Sequence, residues 1–157
     1  MKGSAEIIQQ LNETLRGELI AINQYFLHAS LCKKWGYLRL YKTIYDESIE
    51  EMKHAEQLID RILFLEGTPM VKEPFKIAVG KNVKDILQND LTLERDGLPE
   101  LKKGIALSLA QADTGTRELL EHVLVSAEEH IQWLEAQVFL IEQVGYENYC
   151  AQQIQTA

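Results

Sequence analysis

The sequence predicts an all-α protein, a four-helix bundle with a long crossover connection and a short fifth helix at the C terminus. Three observations carry this expectation. Apolar residues recur at steps of three and four over four separate stretches. Only three prolines and nine glycines interrupt the 157 residues. The segment joining the second stretch to the third is about 15 residues long, enough to run the length of a bundle and let two neighbouring helices be parallel.

The first helix is expected over residues 5–34, with the stripe Ile7, Ile8, Leu11, Leu15, Leu19, Ile22 and Phe26. Gly36 breaks it. The second, over 37–64, carries Leu38, Tyr41, Ile44, Tyr45, Ile49, Met52, Leu58 and Ile62. Residues 66–80 hold Pro69 and Pro74 with flanking glycines and read as the connection. The third helix, over 82–111, has Asn82 as N-cap. Its interior Gly97 and Pro99 predict a kink or local loosening. Asp113 or Thr114 caps a fourth helix ending near Gly145, and residues 146–155 form the fifth. Helices of roughly 26–31 residues are about 40–45 Å long. The whole of 1–157 reads as one domain.

Composition narrows the function classes. Hydrophobic residues make up 46% and charged residues 25%, ordinary for a globular chain. The net charge of −8 argues against a nucleic-acid partner gripped through phosphates and favours cations. Cys32 and Cys150 are far apart and form no C-x-x-C, so free thiols in a reducing compartment are expected. No apolar run is long enough to span a membrane, and the start, MKGSAEIIQQ, lacks a secretion signal. A cytoplasmic protein is the expectation.

One set of metal-type donors falls near the middle of each helix: Glu18, then Glu51 and His54, then Glu94, then His130. Glu51 and His54, three apart, lie about 60° apart on one helical face, whereas Met52 points about 200° away from His54. Carboxylates and imidazoles suit iron or manganese in a bundle core, and buried carboxylates need cations to offset their repulsion and desolvation. Each residue taken alone has a plainer reading. Glu51 and His54 could be a solvated pair, Glu18 and Glu94 edge charges, His130 an interface histidine and Met52 apolar packing. The joint occurrence, one set per helix, favours the metal reading.

The segments GELIAINQYFLHA (17–29), ESIEEMKHAEQLIDRILFLEGTP (47–69), DLTLERDG (90–97), EEHIQWLE (128–135) and GYENY (145–149) closely resemble bacterioferritin, nearly end to end. The resemblance implies a ferritin-like bundle assembled from dimers into a 24-subunit shell storing ferric mineral. It implies a di-iron ferroxidase site, with Glu18 and His54 as terminal ligands of one iron, Glu51 as a bridge, and Glu94 and His130 as terminal ligands of the other. It implies haem b shared between two subunits through Met52. Tyr25 and Trp133 match aromatic positions near the family's iron site, where they either supply electrons or simply pack.

The chain departs from the family at Ala127, where a second bridging glutamate would stand three residues before His130. Glu128 lies about 200° from His130 around the helix and should point off the site. Five ligands would then serve two irons, and oxidation should be slower than in an Ala127→Glu variant. Position 46, often histidine in relatives, is Asp46, with Glu50 one turn on: either oxygen ligands or two solvated acids. Thr68, Met70 and Val71 alter the loop near which a ferredoxin-type reductant would dock. Two functions compete: an iron-storing ferroxidase, and a haem-bearing subunit with an impaired iron centre that passes electrons for iron release, in a shell mixed with a related sister chain; a third, a metal-free helical interaction protein, is disfavoured by the breadth of the resemblance.

Overall fold

The computed structural model describes residues 1–71 and 76–155; Pro74, one of the two prolines marking the connection, lies outside them. Five helices follow in order: α1 (Ala5–Lys34), α2 (Leu38–Phe64), α3 (Val83–Ala110), α4 (Thr114–Val144) and α5 (Tyr146–Gln152). The all-α, four-helix expectation holds, crossover included. α5 ends at Gln152 rather than running to 155.

Local chemistry sets the helix ends. The Ser4 hydroxyl accepts from Ile7 N, the Asn82 side chain from Asp85 N and the Asp113 carboxylate from Thr116 N, so three N-termini have a side-chain cap. Gly36 and Gly145 each sit at φ 87°, a left-handed conformation that costs glycine least, and there the chain turns between helices. Asp113 also binds Arg61 at 2.7 Å, tying α4 to the end of α2. Burial raises the Asp113 carboxyl, but the Thr116 and Arg61 hydrogen bonds outweigh it and hold it below its usual value. α3 continues through Pro99, which lies exposed while Leu101 and Gly104 are buried.

α1 packs on α2 and α3 on α4, and the connection decides how the two hairpins meet. Its first part is held by Asn12, which donates to Thr68 O and accepts from Met70 N. Its last part reaches the other end of α1, where Gln24 accepts from Ala78 N and His28 Nε2 from Gly80 N. The crossover thus traverses the bundle, and α3 starts at the same end as α2 and runs parallel to it. The parallel pair is diagonal and not neighbouring as expected, because among the described residues α3 packs on α1 and α4, and α2 on α1 and α4. His28 is fully buried; with Nε2 accepting, Nδ1 carries the proton donated to Asp90 at 2.8 Å. Asp90 also accepts from Gln24. This network satisfies a buried carboxylate and anchors the crossover at once.

The apolar core is divided in two. One cluster includes Cys32, Leu40, Ile44, Val83, Leu87, Leu91, Leu134 and Ile141, with Tyr149 and Cys150 of α5 closing its end. The other includes Ile7, Leu11, Leu15, Leu58, Ile62, Leu101, Leu120 and Val123. On α1 the division falls between Leu15 and Ala21, on α2 between Ile44 and Ala55, and on α3 between Leu91 and Leu101. Polar residues fill that gap. Both cysteines are free and buried, and burial pushes the Cys32 thiol up to about 12. Among the described residues no helix is long and apolar enough to cross a membrane.

Candidate metal centre

Glu18, Glu51, His54, Glu94 and His130, from all four long helices, are buried in the gap between the two apolar clusters. The Nδ1 of His54 lies 3.3 Å from Glu51 Oε2 and 3.6 Å from Glu18 Oε2. The Nδ1 of His130 lies 3.0 Å from Glu94 Oε1 and 3.6 Å from Glu47 Oε2. Ligand atoms of Glu18, Glu51 and His54 fall within 4.8 Å of one another, and so do those of Glu47, Glu51 and His130. Glu51 belongs to both groups. Two groups of donors, each compact enough to hold a cation, therefore share one carboxylate.

Electrostatics describe a cluster short of positive charge. Burial raises the Glu51 carboxyl and Glu94 raises it further, against the lowering effect of His54. Burial likewise raises Glu47, opposed by His130. Burial lowers both imidazoles, but their carboxylate partners outweigh it and hold them above their usual value, Glu51 acting on His54 and Glu94 on His130. Among the described residues, two buried side-chain polar atoms have no hydrogen-bond partner: Glu18 Oε2 and His54 Nε2. A buried carboxylate oxygen without a donor is costly in a bare protein and ordinary beside a cation.

The surroundings fix the donors. The Tyr25 hydroxyl donates to Glu94 Oε1 at 2.5 Å, and its ring meets His130 edge-on at 5.2 Å. Trp133 stacks on His130 at 6.2 Å. A cavity of about 340 Å³ opens between α1 and α3 and is lined by Gly17, Glu18, Tyr25, Glu94, Gly97 and Ala127 among others. It connects the cluster to the surface. Ala127 is buried, and Glu128 is exposed and outside the cluster. Asp46 pairs with Lys42 at 3.1 Å and Glu50 with Lys53 at 3.5 Å, as exposed acids satisfied on their own helix. Met52, 50% exposed, lies off this cluster on the outer face of α2.

Two residues were not singled out in the sequence. Glu47 precedes Glu51 by four, so E-x-x-x-E-x-x-H was a readable helical spacing; among the neighbouring acids at 46, 47, 50 and 51, nothing local selected it. His122 meets the His54 ring edge-on at 5.8 Å, a contact across helices that leaves no sequence signal.

Fold and site together define a ferritin-like four-helix bundle with a carboxylate–imidazole centre at mid-height. The family model described as a ferritin-like domain matches residues 8–144. A bacterioferritin of Mycobacterium tuberculosis is 40% identical over 152 residues, spanning 97% of this chain and 96% of its own. A bacterial ferritin of Pseudomonas aeruginosa is 44% identical over 155 residues, 98% of this chain and 100% of its own, and one of Synechocystis sp. is 43% identical over 155, 98% and 99%. The chain belongs to the ferritin-like family, among the bacterioferritins and bacterial ferritins.

Proposed function

We propose that this chain is a single-domain, cytoplasmic iron-storage subunit that oxidises Fe(II) at the buried cluster and deposits ferric mineral within a shell of 24 copies. The observation that carries the reading is the pair of ligand groups sharing Glu51, with the unpartnered Glu18 Oε2 at one of them. In this reading Fe(II) is the substrate. Glu18 and His54 hold one ion, Glu94 and His130 the other, and Glu51 spans both. Each of two Fe(II) ions gives up one electron; together these reduce one dioxygen to hydrogen peroxide, or one hydrogen peroxide to two waters, with two protons taken up in either case. Anionic carboxylates in a low-dielectric site stabilise Fe(III) more than Fe(II), so the cluster itself favours the oxidised product. Tyr25 holds Glu94 in place and stands close enough to donate an electron, and the α1–α3 cavity admits the oxidant.

Assembly and haem belong to the same proposal. Phe26, Met52, Leu63, Phe139 and Ile154 are each at least half exposed, apolar surface that a lone chain leaves to water and that other copies would cover. The thioether of Met52 is neither buried nor used by the fold, so it would be free to hold haem b, one such residue coming from each of two subunits. Such a haem would supply electron transfer, from a ferredoxin-type reductant, for iron release. Replacing Met52 by leucine should abolish the haem absorption band while leaving shell size unchanged; a retained band would remove Met52 from this role.

The test of the main reading is stopped-flow oxidation of two Fe(II) per subunit by the iron-free shell, with Ala127→Glu beside it. A fast saturable phase in the unmodified protein is expected. Its absence, with recovery in Ala127→Glu, would replace this reading by the second: a haem-bearing subunit with an impaired centre that works in a mixed shell with a related sister chain. The buried methyl group of Ala127 at the end of the cavity, together with the free Met52, is what favours that second reading.

A further inference from the structure

α4 brings one donor to the cluster, His130. The residue one turn earlier on the same face is Ala127, buried and without a ligand atom. Yet the second cation position is not short of oxygen. Glu47, one turn before Glu51 on α2, sets Oε2 3.6 Å from His130 Nδ1, and its ligand atom lies within 4.8 Å of those of Glu51 and His130. Its neighbours Asp46 and Glu50 turn outward to lysines on their own helix. Glu47 instead turns inward, and its side chain is only 27% exposed. Its charge is felt by the cluster: Glu94 and His54 shift it, and it in turn shifts His130 and Tyr25. An independent sign that the cluster awaits cations is Glu18, 9% exposed, whose unpartnered Oε2 points to His54 Nδ1 at 3.6 Å.

We infer that Glu47 supplies the carboxylate that completes the second iron position, so that Glu47, Glu51, Glu94 and His130 hold that ion and α2 delivers what α4 lacks at Ala127. The inference rests on the proposal that the cluster takes two Fe(II) ions. Four donors, three of them anionic, then face the second ion, and the excess negative charge of the bare cluster is explained by two divalent ions rather than one.

The test is anaerobic titration of the iron-free assembled protein with Co(II), followed by visible absorption and calorimetry, neither of which depends on turnover. The unmodified protein should bind two Co(II) per subunit. Glu47→Gln, which keeps the side-chain volume, should keep one site and weaken the other by roughly tenfold or more. The double variant Glu47→Gln/Ala127→Glu should regain the second site, which separates a lost ligand from a damaged fold. Two sites of unchanged affinity in Glu47→Gln, no recovery in the double variant, or a single site in the unmodified protein would each overturn the inference. Two sites in both the unmodified and Glu47→Gln proteins would remove Glu47 alone and leave the proposed function standing. No Co(II) bound by the unmodified protein would remove both.

Discussion

Replacing Glu51 by glutamine should abolish the fast phase of Fe(II) oxidation and weaken binding at both halves of the cluster together. Glu51 is the one carboxylate common to the two ligand groups, so its loss is not confined to one ion. Glutamine keeps the shape, removes the negative charge and cannot bridge two cations as a carboxylate does. The expected fall in initial rate is roughly a hundredfold or more, beyond the 10–100-fold typical of changes one shell further out. The substitution also removes a charge from a crowded anionic cluster, so the iron-free variant should melt no lower than the unmodified protein. A Glu51→Gln shell that kept half its fast phase would mean that the two positions act independently, and that Glu51 is not shared.

Iron-free protein should lose stability as the pH rises, and iron should reverse the trend. Glu47 and Glu51 are raised above their usual 4.5, and His54 and His130 above their usual 6.5. All four shifts have the same sign: the folded protein binds these protons more tightly than the unfolded chain. Their contribution is therefore fully present below the unfolded values and is lost as pH rises through the folded ones. The carboxyl part fades first, above about 4.5, and the imidazole part above about 6.5. The melting temperature of chelator-treated protein should fall by at least a few degrees between about pH 6 and about pH 8. Bound Fe(II) or Co(II) needs deprotonated ligands, so added metal should raise the melting temperature more at the higher pH. A flat or rising profile without metal would mean that burial does not hold the two carboxyls, nor their carboxylate partners the two imidazoles, above their usual values.

The helices were legible because their signals are local. Asn82 and Asp113 cap the helices they were expected to cap, since a side chain three residues from an orphan N–H needs no distant partner. Gly36 and Gly145 stop helices where the backbone turns left-handed. Pro99 was the weak point. It removes one N–H, but it sits on the exposed side, and the buried Leu101 and Gly104 that follow keep α3 packed through it. The length of α5 was over-read, because that helix is short and its end depends on a distant clasp, Arg39 N donating to Gln153 O.

The site divides along the same line. Rigid helices rise uniformly, so residues at the middle of four helices of similar length had to meet at one level, and Glu18, Glu51, His54, Glu94 and His130 do. Tyr25 against Glu94, and His28 locking the crossover through Asp90 and Gly80, join residues more than fifty apart, and no pattern in the chain paired them. That Glu47 and Glu51 turn inward while Asp46 and Glu50 stay outside was decided by how α2 is rotated against its neighbours, a property of packed helices and not of either one alone. By itself the sequence determined the four long helices, their ends and the level at which Glu18, Glu51, His54, Glu94 and His130 meet, through short-range hydrogen bonding and helical periodicity. Only the tertiary structure decided that Glu47 faces His130 across the gap beside Ala127, because that meeting depends on where one helix face lies when it is pressed against another.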